Sequence, residues 1–221
     1  MEPLLWKCIL QWAFLFSKNS VIIDAGANDG TSTLLLSSYF KNHTIFSVEP
    51  ILVNIANILR KTKKINNIIV QHGGLGDQMT YGTYPRYLDQ KKSVAYLQIG
   101  KLKSYRHLKQ GDVKFPVFTI DYLFQKHKLS FAHWDVEGNE IELLNGAQNV
   151  IKRDRPFFTV ESFHLSNASH HHTLMSAIKH LNYTIIRVNE KCGWPRDCRN
   201  YLCVPNEHFK KNLCDNTTTM I

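Results

Sequence analysis

A chain of 221 residues with 43% hydrophobic content can bury one sizeable core and is short for two full domains, so a single domain is expected over 1–221. Its 27 Lys+Arg against 18 Asp+Glu leave a net charge of +9, which favours acidic or polyanionic partners but does not constrain the fold. Five cysteines, Cys8, Cys192, Cys198, Cys203 and Cys214, are odd in number and lack Cys-x-x-Cys spacing, which argues against a disulfide scaffold and a zinc knuckle. Most should be free thiols, with a local bridge between Cys192 and Cys198 as the alternative.

The first 19 residues are apolar, yet Lys7 and Gln11 interrupt them, no basic region precedes them and no small-residue cleavage site follows. They read neither as a signal peptide nor, being short, as a membrane span, and the expected location is cytoplasmic. Leu4, Leu5, Cys8, Ile9, Trp12, Leu15 and Phe16 fall at helical spacing, which predicts a leading helix packed on the domain. A surface-anchoring helix is the alternative, because this face is rich in tryptophan and phenylalanine.

An alternation of elements follows. Val21–Ala25 reads as a buried strand, 31–40 as a helix, 44–48 as a strand, 53–61 as a helix and 68–71 as a third strand. This βαβαβ order implies a parallel sheet with helices on both faces. The stretch 77–116 is less regular and reads as a hairpin over the sheet that also carries substrate contacts. Regularity returns with a strand over 131–138, a helix over 139–152 whose Ile141, Leu144, Ala147 and Ile151 share one face, and a strand over 156–163. A helix over 170–181 and an antiparallel pair, YTIIRV with NYLCV, then close the sheet, before a polar tail from 214 to 221.

In an open α/β sheet, ligands sit beyond the C-terminal ends of the strands where strand order reverses. The first such corner is Gly26-Ala27-Asn28-Asp29-Gly30, whose glycines permit close backbone approach and whose following helix offers free N–H groups. Glu49 ends the second strand 25 positions after Asp24, where a carboxylate can take both hydroxyls of an adenosine ribose. The corner lacks the Gly-x-Gly-x-x-Gly of a dinucleotide site. Asp29 is also poorly placed beside a pyrophosphate and well placed beside a sulfonium or an amino group.

The segments DAGANDGTST, SVEP, TIDYL, DVEGNEIELLNGA and RPFFTVES occur in one order over about 20–161, and at these residues the chain resembles the FkbM family of S-adenosylmethionine-dependent methyltransferases. The resemblance implies a Rossmann-like class I fold and a cofactor cradle of Asp24, Gly26, Asn28 and Gly30. Glu49 would take the ribose, and Gly76 and Asp77 would approach the adenine edge. One departure stands out: the fourth strand usually carries Lys-x-Asp, whereas this chain has His133-Trp134-Asp135, so no role of that lysine carries over.

Asp135 and Glu137 are expected at the end of the fourth strand, and Glu161 and His164 at the end of the fifth. Neighbouring strands would thus bring acids and an imidazole to one mouth. An alcohol acceptor needs its proton removed or its pKa lowered by a cation. Asp135, Glu161 and His164 are therefore expected either to bind a divalent metal, Mg²⁺ or Mn²⁺, or to supply a general base. Glu137 and Asp121 also read as helix-capping acids, and His170 to His172 as a solvated helix start.

Arg60, Lys61, Lys63 and Lys64 should lie away from the mouth. Lys101, Lys103, Arg106 and Lys109, interleaved with Tyr96 and Tyr105, could line an acceptor groove where aromatics, or Trp134, suit a sugar ring. The expected activity is metal-assisted O-methylation of a sugar or glycan hydroxyl, an acceptor class the resemblance favours. Nucleic acid is the less favoured partner; the alternatives are an RNA ribose methyltransferase and a non-catalytic cofactor-binding module.

Overall fold

The apolar N-terminal stretch folds as α1, Pro3–Trp12, followed by a 3₁₀ turn, Ala13–Leu15. The computed structural model describes residues 3–85, 98–99, 112–165, 167–191, 198–210 and 218–221. The first turn of α1 contains no acid of its own. Its free amides are met from far along the chain, where the Glu190 carboxylate accepts the Leu4 and Leu5 N–H groups. Leu5, Cys8, Ile9 and Trp12 are buried, so this helix docks on the sheet. Among the described residues, no helix is long and apolar enough to cross a membrane.

The expected alternation follows as β1 (Val21–Ala25), α2 (Thr31–Tyr39), β2 (Thr44–Glu49), α3 (Leu52–Thr62) and β3 (Ile68–His72). Four shorter strands come next: β4 (Gly74–Leu75), β5 (Thr80–Pro85), β6 (Gln98–Ile99) and β7 (Asp112–Phe118). The second half contains α4 (Ile120–Leu123), β8 (Leu129–Trp134), α5 (Glu140–Asn145), α6 (Gln148–Asp154) and β9 (Phe157–Phe163). It ends with α7 (Ala168–His180), β10 (Tyr183–Lys191), β11 (Cys198–Pro205) and β12 (Thr218–Met220).

The main sheet has the order β12-β10-β11-β9-β8-β1-β2-β3. Neighbours from β9 to β3 are parallel, and β11 runs antiparallel to both β9 and β10. This is the mostly parallel, doubly wound class expected, with its antiparallel C-terminal strand. The chain moves outward from β1 through β2 to β3, then resumes on the other side of β1 with β8 and β9. Strand order thus reverses between β1 and β8, which places a ligand cleft beyond their C-terminal ends.

Two apolar layers flank the sheet. Ile22, Ile45, Phe131, Phe157 and Leu202 meet α1 and Leu36 of α2 on one face. Ile23, Ala132, Phe158 and Ile185 meet Leu144, Ile151, Leu174 and Ile178 of α5, α6 and α7 on the other. The irregular stretch contributes a small sheet in the order β4-β7-β5-β6, with β5 and β7 as an antiparallel pair. The Tyr84 hydroxyl of β5 accepts the Leu52 N–H and pins this sheet to the start of α3.

Three boundaries differ from expectation. The strand expected over 131–138 stops at Trp134, leaving Asp135 and Glu137 in the loop beyond it. The helix expected over 139–152 breaks between Asn145 and Gln148, and the glycine at 146 leaves room for the Gly76 carbonyl oxygen, which a Cβ would meet at 2.0 Å. The polar tail ends in β12, which pairs with β10. Tyr96, Tyr105, Lys101, Lys103, Arg106 and Lys109 lie outside the described residues, as do Cys192 and Cys214. Cys8 and Cys203 are buried, and no disulfide joins them.

Candidate active site

The corner after β1 is built by backbone. Gly26 donates its N–H to the Val48 carbonyl of β2, and Asp135 donates its N–H to the Ala25 carbonyl, so the ends of β1, β2 and β8 are tied together. Gly26 has φ +83°, and a Cβ would meet the Asp135 carbonyl oxygen at 1.8 Å. Only glycine satisfies both the conformation and the contact. Asn28 follows with φ 48°, and its N–H points to Glu49.

An open cleft of about 600 Å³, counted to its mouth, lies at this point. Gly26, Asn28, Val48, Glu49, Pro50, Asn54, Gly73, Gly74, Leu75, Asp135, Val136 and Glu137 line it. Glu49 is 3% exposed. Its Oε2 accepts the Asn28 N–H at 2.8 Å, and its Oε1 accepts the Ile51 N–H at 2.9 Å and the Asn54 side-chain amide at 3.1 Å. Burial pushes its carboxyl up to about 7 against these hydrogen bonds.

Asp24 lies beneath the corner, fully buried, and accepts a hydrogen bond from the Thr33 hydroxyl of α2. Burial raises its pKa to about 6, opposed by that bond. Its other oxygen has no partner among the described residues. Gly30 forms the left-handed cap of α2 and packs against Ile58 rather than lining the cleft. Gly76 and Asp77 lie against Gly146, also outside the lining. Asp29 differs most from expectation: its side chain is 57% exposed, caps the Thr31 N–H and pairs with Lys61 at 3.0 Å. Lys61, expected far from the mouth, thus reaches the corner because α3 packs across Gly30.

Past the end of β8, Asp135 and Glu137 meet Glu161 of β9, and each offers a carboxylate oxygen within 4.8 Å of the others. Glu137 completes this group where His164 was expected; His164 lies in the turn after β9, its ring 6.2 Å from that of His171. Burial raises the Asp135 carboxyl, opposed by neighbouring His133 and by a hydrogen bond with Glu161. Burial also pushes Glu137 up to about 7, with Asp135 and Glu140 adding to it. Among the described residues Glu137 caps no helix: α5 starts at Glu140, and Glu137 sits in a left-handed turn with φ 53°.

His133 is buried beside this group, its Nδ1 2.8 Å from the Thr159 hydroxyl and its ring 5.7 Å from that of Trp6. Burial lowers its pKa, opposed by Asp135. Trp134 is 1% exposed and stacks on Phe158 at 4.5 Å, so it does not reach the mouth. Asp121 caps a helix other than its own. Its carboxylate accepts the Asn149 and Val150 N–H groups of α6, while Thr119 caps α4.

The described lining therefore carries three acids and no lysine or arginine. A cationic ligand is favoured there and a polyphosphate is disfavoured. The glycine-lined approach and the buried acid on β2 fit S-adenosylmethionine, and the three carboxylates beyond fit a hard divalent cation.

Residues 24–185 match the methyltransferase FkbM domain. No curated protein matches the chain. Among solved structures, it is similar to methyltransferase FkbM from Methylobacillus flagellatus, at 21% identity and TM-score 0.58 over 85% of this chain and 44% of that one. It is also similar to an rRNA methylase from Streptococcus thermophilus, at 8% identity and TM-score 0.56 over 93% and 97% of the two chains. Fibrillarin from Aeropyrum pernix, in complex with natively bound S-adenosyl-L-methionine, matches at 14% identity and TM-score 0.50 over 90% and 74%. The chain spans less than half the length of the Methylobacillus protein, and these likenesses carry the fold. With 24–185 matched over most of its length, the chain belongs to the FkbM methyltransferase family.

Proposed function

We propose that this chain is an S-adenosylmethionine-dependent O-methyltransferase acting, with metal assistance, on a hydroxyl of a sugar or glycan. The observation that carries this reading is the group of Asp135, Glu137 and Glu161, whose carboxylate oxygens lie within 4.8 Å of one another while two of the three residues also line the cleft. Bound S-adenosylmethionine supplies a methyl group on a cationic sulfur. Glu49 accepts the ribose hydroxyls, and the Gly26 and Asn28 backbone fixes the approach to that acid. Asp24 stiffens the corner from below through Thr33.

The three carboxylates face the acceptor. A divalent ion held by Asp135, Glu137 and Glu161 would lower the pKa of a bound hydroxyl. The raised proton affinity of Asp135 and Glu137, set mainly by burial, fits this role, because their protons are released when a cation replaces them. The described cleft lining offers no lysine or arginine to meet a phosphate, which favours sugar over RNA.

The test is incubation with isotope-labelled cofactor and separate pools of glycosides, glycans and RNA, read by mass shift. A labelled methyl ether on a glycoside supports the proposal. Label on RNA ribose, with activity falling steeply with salt at a log–log slope of about −0.7 per phosphate contact, overturns the acceptor class. Cofactor binding without transfer to any pool favours a binding module.

A further inference from the structure

The triplet His170 to His172 reads from the sequence as a solvated helix start, but two of its members contact the start of α5 and the end of β9. His170 Nε2 lies 3.2 Å from Glu140 Oε2, across the gap between α7 and α5. Glu140 is 3% exposed, and its other oxygen accepts the Gly138 N–H at 3.0 Å. On the other side, His171 Nδ1 lies 3.0 Å from the hydroxyl of Ser162, the residue after Glu161.

Glu137 and Gly138 both have left-handed backbone, at φ 53° and 95°. A glutamate persists there only when its surroundings hold it. Among the described residues beyond its chain neighbours, no atom lies within 4 Å of where a Cβ on Gly138 would sit. Two hydrogen bonds cross the turn: the Gly138 N–H donates to Glu140 Oε1 at 3.0 Å, and the Asn139 side-chain amide donates to the Val136 carbonyl at 3.3 Å.

We propose that His170 is a positioning residue for the carboxylate group: by fixing Glu140 it holds the Gly138 amide, and so keeps Glu137 turned toward Asp135 and Glu161. This rests on the reading of those carboxylates as the working, metal-binding part of the site. The Glu140 hydrogen bond raises the His170 pKa, with partial burial opposing and the charges of Glu140 and Glu142 adding to it, which favours the charged donor. Without His170, a buried carboxylate would lose its cationic partner and turn toward water, releasing Gly138.

The experiment uses the full chain and three variants, His170→Ala, His170→Leu and His170→Gln. Leucine fills the space without a donor and stands in if the alanine variant fails to fold; glutamine restores a donor. Gly138 amide exchange is followed by NMR, Mn²⁺ affinity by EPR, S-adenosylmethionine affinity by calorimetry, and melting temperature alongside. We expect alanine or leucine to lower the melting temperature, and to speed Gly138 exchange and weaken Mn²⁺ binding by about tenfold each at little changed cofactor affinity, with glutamine recovering most of these losses. Unchanged Gly138 exchange in the alanine or leucine variant overturns the inference. Faster exchange in a protein whose wild type binds no Mn²⁺ leaves the positioning role standing and removes the metal reading instead.

Discussion

Asn28 donates its backbone N–H to Glu49 Oε2 at 2.8 Å, so the acid ending β2 is tied to the glycine corner ending β1. The two motifs, 21 positions apart in the chain, form one rigid wall of the cleft. Burial pushes the Glu49 carboxyl up to about 7, and in the proposed ribose-binding role it must be ionised to accept two hydroxyls. Cofactor binding should therefore release a proton below that pH, and affinity should rise with pH up to about 7. Glu49→Gln should cost about 1.5 to 3 kcal/mol of S-adenosylmethionine affinity at pH 8, the worth of charge-assisted hydrogen bonds, and should flatten the pH dependence. Calorimetry from pH 5.5 to 8 in buffers of different ionisation heat reads both effects. A wild-type affinity independent of pH would count against the ribose role.

Gly26→Ala is a sharper test of the cradle. The added Cβ would lie 1.8 Å from the Asp135 carbonyl oxygen at a φ of +83°, so either the β1 corner or the β8 loop must move. A loss of about 2 kcal/mol or more in stability is expected, together with loss of cofactor binding, because strain and overpacking add. Thermal unfolding and calorimetry on the same sample check the pair. A stable variant with normal binding would mean that the corner is softer than its geometry indicates.

Glu49 also makes a stability prediction with a definite sign. Its folded pKa of about 7 lies above the ordinary 4.5, so between these values the folded chain holds more protons than the unfolded one. Its contribution is fully present below about pH 4.5 and is lost as pH rises through about 7. Relative to wild type, Glu49→Gln should therefore gain about 2 to 3 kcal/mol across that window in ligand-free protein. Comparing denaturant unfolding of both proteins at pH 4.5 and 7.5 cancels the histidines, which titrate in the same range. A difference that stays constant, or that moves the other way, refutes the burial argument.

Asp121 tests long-range capping. Its carboxylate accepts two amides at the start of α6, 28 and 29 residues downstream. Asp121→Ala should cost about 1 kcal/mol, within the 0.5 to 2 typical of a lost cap, and Thr119→Ala at the start of α4 a similar amount. Asp121→Asn keeps an acceptor and should lose less. Cofactor affinity should stay unchanged in all three, since none of these residues lines the cleft.

These cases show what the residue pattern reveals. Periodicity and the glycine corner identify the sheet, its switch point, and the positions of Gly26, Asn28, Glu49 and Asp135 on the cleft, because strand ends and backbone conformation are local properties. Side-chain direction past a strand end is not. Asp29 sits in the corner but turns outward to Lys61, and Glu137 enters the carboxylate group through a left-handed turn that its residue type does not favour. Partners far apart in the chain were equally hidden: Glu190 caps α1 from β10, and Asp121 looks like a cap for the helix that contains it. No window of sequence contains those pairs.

The carboxylate group carries the last prediction. Asp135, Glu137 and Glu161 lie close enough to share one ion, and His164 is not among them. Wild-type protein should bind one Mn²⁺, and Asp135→Asn or Glu161→Gln should weaken it by about tenfold or more, whereas His164→Ala should change it by about twofold or less. With an acceptor in hand, EDTA should abolish turnover and Mg²⁺ or Mn²⁺ restore it, while cofactor affinity, which we assign mainly to the β1 and β2 corner, should stay nearly constant. Full turnover in EDTA would reassign the same carboxylates as general bases. The rate should then rise with pH to a plateau near 7, where Glu137 loses its proton, and Glu137→Gln should remove that limb.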